Sequence, residues 1–135
     1  MRNDLRLRPL WLSLGYLMVA FVLAACLLPR VDIQPVASLL WDKAEHAIAF
    51  FGLTLWFAGL YVPRLWGRIA ASFFTLGVLI EIAQGLFTTT RSADPLDAAA
   101  DAIGILVALA AARLGARDWS LWTERLLRLG RTRQP

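Results

Sequence analysis

Cysteine is nearly absent from this sequence, with Cys26 alone among 135 residues. No intramolecular disulfide can form, and a zinc site of the multi-cysteine type is excluded. Charge is scarce too, at 18% of residues against about 25% in ordinary globular chains. Between Arg8 and Arg30 it is missing altogether. Internal repeats, linkers and low-complexity segments are also lacking, so residues 1–135 read as one domain. The formal net charge of +4 does not point to nucleic acid. The arginines stand at the two ends and at one short connection, not on one face, and no binding motif accompanies them.

What fills the sequence is apolar. Hydrophobic residues make up 59% of it and the mean hydropathy is +0.58, more apolar surface than a soluble fold of this size can hide. The stretch from Leu10 to Leu28 approaches the ~20 residues that cross ~30 Å of hydrocarbon and predicts a first span. A second runs from Ala47 to Val62, reaching full length if its helix begins near Trp41, with Asp42, Lys43, Glu45 and His46 crowded at its start. The third covers roughly Ile69 to Phe87 and contains Glu81 and Gln84. Only Ala102 to Ala112 of the fourth is free of charge, so it reaches full length only if Asp97 and Asp101 enter the membrane.

The arginines decide between three spans and four, because basic residues near span ends stay cytoplasmic. With four spans and an inside start, the inward segments hold Arg2, Arg6, Arg8, Arg64, Arg68, Arg113, Arg117, Arg125, Arg128, Arg131 and Arg133, while Arg30, Lys43 and Arg91 fall outside. A three-span arrangement reverses the last six. The expected fold is therefore an all-α polytopic membrane protein of four transmembrane helices with both termini cytoplasmic. Trp119, Trp122, Leu126 and Leu129 recur at helical spacing among Glu124, Arg125 and Arg128, which predicts a C-terminal amphipathic helix lying on anionic lipid, a partner-binding helix being the sharper reading. Leu23-Ala24-Ala25-Cys26 resembles a lipoprotein cleavage box, but the apolar run continues past Cys26, so cleavage is not expected.

Folding the spans up brings the ionisable residues to one level near the outer face. The second span starts there with Asp42, Lys43, Glu45 and His46, the third nears it at Glu81 and Gln84, and the fourth leaves it through Asp94, Asp97 and Asp101. Glu81, six residues before Phe87, lies about 9 Å below the end of its helix. Residues three or four apart share a helix face, which aligns Asp42 with Glu45 and His46, Glu81 with Gln84, and Asp97 with Asp101 and Gly104. Ala100, Gly104, Ala108 and Ala112 form a small-residue stripe that permits close helix approach and turns the acidic face inward. An acid facing lipid is costly, so Glu81 and Asp101 should face protein or a water-filled pocket, paired with a base. Arg91 is expected to bridge Asp94 or Asp97 to Glu81, since a guanidinium can hold two carboxylates in fixed geometry.

Six acids (Asp42, Glu45, Glu81, Asp94, Asp97, Asp101) outnumber Lys43, Arg91 and His46. Carboxylates in such excess have raised proton affinity, a property that proton relays, metal sites and acid–base catalysts share. The bland alternative is a charge-paired plug that holds three helices together. One nitrogen ligand among several carboxylates would suit a hard divalent ion. A lone membrane histidine is more often a hydrogen-bonded packing residue, so no metal or other cofactor is expected.

Taken in order, Asp42-Lys43-x-x-His46-x-x-x-Phe50, then Glu81-x-x-Gln84, then Arg91-x-x-Asp94-x-x-Asp97-x-x-x-Asp101-x-x-Gly104 resembles the signature of the VanZ-like family. The match covers residues 42–104, about half the chain. Asp101 departs from the asparagine found there in many members, which puts a neutral, amide-type role at this position in doubt. The family takes its name from a protein associated with low-level resistance to teicoplanin, a glycopeptide that acts on cell-wall precursors outside the membrane. The resemblance implies a multi-pass protein of the bacterial inner membrane with a role in the cell envelope, and no known reaction.

Two functions from different classes follow. In one, the cluster binds or modifies a lipid-linked or cell-wall-related substrate at the outer leaflet. Lys43 and Arg91 would contact phosphate or carboxylate there, Asp42, Gln84, Asp94 and Asp101 would complete the binding set, and His46, Glu81 or Asp97 would transfer a proton. In the other, the chain is a non-catalytic membrane scaffold or partner-docking module. No nucleophile favours an enzyme, since Thr88, Thr89, Thr90 and Ser92 are loop hydroxyls of the kind that usually solvate or cap.

Overall fold

A computed structural model describes residues 2, 4–28, 37–87 and 93–127, with the side chains of 37–39 excepted. The described residues are helical with no strand: α1 (Arg8–Leu27), α2 (Ala37–Leu60), α3 (Trp66–Phe87), α4 (Pro95–Arg113) and α5 (Trp119–Leu126). Three helices are long and apolar enough to cross a membrane: α1, α3 with its leading turn from Pro63, and α4. At 24 residues α2 has the length, but its N-terminal half carries Asp42, Lys43, Glu45 and His46. Large apolar side chains are exposed around the bundle, including Tyr16, Leu17 and Phe21 on α1, Ile82 and Leu86 on α3, and Ile103, Leu106 and Val107 on α4. A continuous apolar exterior of this kind suits lipid and not water.

α2 is the axis of the bundle. Phe50, Leu53, Phe57 and Ala58 are buried along it and join Phe73 and Ile80 of α3 and Ile105 and Leu109 of α4 in one core. The broadest contact is between α2 and α4. It is made possible by the buried stripe Ala100, Gly104, Ala108 and Ala112. A Cβ on Gly104 would run into the carbonyl oxygen of Ala47, so the two backbones touch at a glycine.

Local chemistry sets the helix limits. Asp94 caps α4, its side chain accepting from Leu96 N–H, with Pro95 behind it, Asp97 in the first turn and Arg113 in the last, as the helix dipole favours. α4 thus reaches 19 residues with Asp97 and Asp101 inside it. Gly115, at φ 111°, follows its end in the left-handed region that glycine adopts without strain. Trp66 at the start of α3 donates through Nε1 to the carbonyls of Ala58 and Tyr61, satisfying the last turn of α2.

The two ends of the described chain meet at one end of the bundle. Arg2 N–H donates to Leu60 O at the end of α2, and Arg2 Nη1 lies 2.8 Å from Asp118 Oδ1. Glu124 of α5 accepts from Arg6 N–H, Leu7 N–H and Trp11 Nε1–H, capping the start of α1 with a side chain 118 residues away. Burial raises the Glu124 pKa, but these three donors outweigh it and hold the carboxyl below its ordinary value. α5 also packs on protein. Trp119 stacks against Trp56 and edges onto Trp11, and Ser120 Oγ donates to Gly59 O, while Trp122 and Leu126 are exposed. Trp119 therefore departs from the expected lipid-facing stripe, because Gly59 leaves room for its indole on α2. Leu129 lies outside the described residues.

Candidate functional site

At the opposite end, α2, α3 and α4 bring their ionisable residues together. Lys43 Nζ lies 2.6 Å from Asp94 Oδ2 and 3.0 Å from Asp97 Oδ1, bridging the cap and first turn of α4. Hydrogen bonding to Lys43 holds the Asp94 carboxyl below its usual range. One turn deeper, His46 Nδ1 lies 3.0 Å from Asp101 Oδ1, and both side chains are buried, at 2% and 0% exposure. From α3, Glu81 Oε2 accepts the backbone N–H of Asp94 at 2.8 Å, which ties the C-terminal end of α3 to the start of α4. Gln84, one turn on, donates through Nε2 to the carbonyl of Cys26 at 3.0 Å and brings in the end of α1. Arg91 lies outside the described residues, as do Thr88, Thr89, Thr90 and Ser92. The bridge expected between Arg91 and Glu81 therefore lies outside the described residues, while Lys43 joins Asp94 to Asp97.

With the Asp101 carboxylate ionised and the imidazole neutral, the pair places the ring proton on His46 Nδ1 and leaves Nε2 bare. That nitrogen is buried and has no hydrogen-bond partner among the described residues. The same holds for Asp101 Oδ2 and Glu81 Oε1. Such atoms are rare in folded proteins, since each costs about 1–3 kcal/mol. Asp42, His46 and Asp97 each offer an atom such that all three lie within 4.8 Å of one another. Glu45 stands at the rim with Asp42.

Two features beside the cluster carry no signal of charge or spacing in the sequence. Gly77 lies one turn before Glu81, and a Cβ there would collide with Asp101 Oδ2, so its absence makes room for that carboxylate. A cavity of about 520 Å³ opens between α1 and α2, lined by Met18, Phe21, Val22, Cys26 and Leu53 and ending at Asp42, Glu45 and His46. Gly52 lies on its wall with no atom within 4 Å of where a Cβ would stand. The groove is apolar along its length and acidic at its head.

Comparison of the chain with protein-family models, with curated proteins and with solved structures gives no match.

Proposed function

We propose that this chain is a four-span protein of the bacterial inner membrane, of the VanZ-like type, that binds a lipid-linked or cell-wall-related ligand from the outer leaflet. The observation that carries the reading is the groove between α1 and α2: its apolar walls suit an acyl or polyprenyl chain, and its head opens on Asp42, Glu45 and His46. Four crossings are supported by the meeting of the N-terminal segment, the end of α2 and α5 at one end of the bundle, since an even number returns the chain to its starting side. The arginine distribution supports a cytoplasmic position for that end, where the exposed Trp122, Leu126 and Arg125 would rest among headgroups. An envelope role, including glycopeptide resistance, rests on the ordered motif of residues 42–104.

Gly52→Trp tests the groove. The indole would fill it without meeting a neighbour at Cβ. The variant should melt like the wild type yet lose the lipid that copurifies in mild detergent, together with any teicoplanin protection in cells that express it. Unchanged copurified lipid in a folded variant refutes the binding reading.

The second reading is a structural plug in a non-catalytic scaffold. It is favoured by the ties from Lys43 to Asp94 and Asp97 and from Glu81 to Asp94 N–H, which lock α2, α3 and α4 together. Under it, His46→Ala, Glu81→Gln and Asp97→Asn lower folded yield and function together. A binding or acid–base site loses function while yield holds.

A further inference from the structure

We propose that Asp42, His46 and Asp97 form a binding site for one divalent metal ion at the head of the α1/α2 groove. Their donor atoms lie within 4.8 Å of one another, close enough for one ion to reach all three. Clustered carboxylates alone would not carry the point; the histidine does. His46 is 97% buried, being 3% exposed, and its Nε2 has no partner among the described residues. Its other ring nitrogen is held at 3.0 Å by Asp101 Oδ1. Metal-binding histidines are oriented in this way: a carboxylate accepts the Nδ1 proton, fixes the tautomer, and raises the basicity of the nitrogen that faces the ion. Asp101 is thus a positioning residue, and Gly77 makes the space it occupies.

Nearby charges are compatible with an ion. Lys43 pairs with Oδ1 of Asp97, and a carboxylate with two oxygens can serve an ammonium and a metal ion at once. Glu45 and Asp42 at the rim of the groove add negative potential and mark the entry path. One imidazole and two carboxylates suit Mn2+ or Zn2+ and exclude the soft-metal sites built from thiolates. Three protein ligands leave coordination positions open, so a bound ion could take a phosphate or carboxylate of a ligand head that the bare acids would repel. The cation site stands apart from the lipid reading, because Mn2+ alone is its probe and each can fail without the other.

The test uses the full chain in detergent, stripped with chelator and titrated with Mn2+ under electron paramagnetic resonance. One ion per chain is expected, with pulsed spectra showing coupling to an imidazole nitrogen. Asp42→Asn, at a half-buried position, should bind at least tenfold more weakly, with its fold checked by circular dichroism before the titration. Asp101→Asn keeps an acceptor for Nδ1 but removes the charge, and should weaken binding about 10- to 100-fold. Absence of stoichiometric binding, a bound ion without nitrogen coupling, or a folded Asp42→Asn variant that binds as tightly as the wild type overturns the site.

Discussion

Gly104→Ala is the smallest change that should separate α2 from α4. In a helix interior the substitution alone would stabilise by about 0.8–1.0 kcal/mol, because alanine restricts the unfolded chain. Here the added methyl would collide with Ala47 O and stand 3.0 Å from both Ala47 C and Phe51 N. All three are backbone atoms of α2, so no side chain can turn aside and the helix axes must part. Overpacking of this kind costs about 1–3 kcal/mol, and a rigid obstacle places it at the upper end. Net destabilisation of about 2 kcal/mol is expected. Gly52→Ala, with nothing within 4 Å of its Cβ, supplies the control and should gain up to about 1 kcal/mol. Unfolding of the detergent-solubilised protein, followed by tryptophan fluorescence, should therefore separate the two variants by roughly 3 kcal/mol. The consequence reaches the site, because the same close approach holds His46 at 3.0 Å from Asp101. If Gly104→Ala proves as stable as Gly52→Ala, α2 and α4 are not in backbone contact and the site geometry built on that contact fails.

Acid should release the contact between Glu124 and the start of α1. The Glu124 pKa is depressed in the folded protein, so its contribution is present above its ordinary value of 4.5 and is lost as the pH falls through the lower, folded value. Glu124→Gln should cost about 2–3 kcal/mol at neutral pH, since it replaces charge-assisted hydrogen bonds from three donors. Its melting temperature should also fall less steeply than that of the wild type below pH 4.5, and parallel profiles would refute the assignment. For topology, in a Cys26→Ser background, a membrane-impermeant maleimide added to spheroplasts should label Phe87→Cys at the end of α3 and spare Gly67→Cys in its first turn. Labelling of Gly67→Cys reverses the orientation.

Charge-free length made α1 legible in the sequence, and the acids Asp97 and Asp101 did not stop α4 because they face protein along a stripe of alanines and a glycine. α2 shows the limit of hydropathy. The residues that build the polar cluster, Asp42 to His46, lower the apolar character of the helix that carries them, so α2 does not read as a span by hydropathy. It also starts at Ala37, earlier than the expected Trp41, which puts Asp42 beyond its first turn. Amphipathic spacing marked α5 as a helix with one apolar face. Spacing cannot say whether lipid or protein covers that face, and Trp119 and Ser120 cover α2. Glu124, surrounded by arginines in sequence, reads as a solvated charge, and only the tertiary fold delivers the amides of Arg6 and Leu7 to it. Preference for arginine as a double bridge pointed to Arg91, which lies outside the described residues; the part of Lys43 was not singled out, although it sits one turn from His46 on the face that meets α4 and pairs with both Asp94 and Asp97.

The two polar ends of the bundle differ in a way that bears on the choice between plug and site. A polar group kept for stability should have its hydrogen-bonding capacity filled, because each buried atom left over costs about 1–3 kcal/mol. Glu124 meets that standard: both of its oxygens accept protein donors at 2.9–3.1 Å. The outer cluster does not. Of four buried side-chain atoms without a partner among the described residues, His46 Nε2, Asp101 Oδ2 and Glu81 Oε1 belong to it. Replacing those residues by apolar ones of similar size would remove the cost, as holds for buried ion pairs that serve packing alone. Keeping them argues for a partner beyond the described residues. The ligand head or metal ion proposed at the head of the groove beside Asp42 would fill that role.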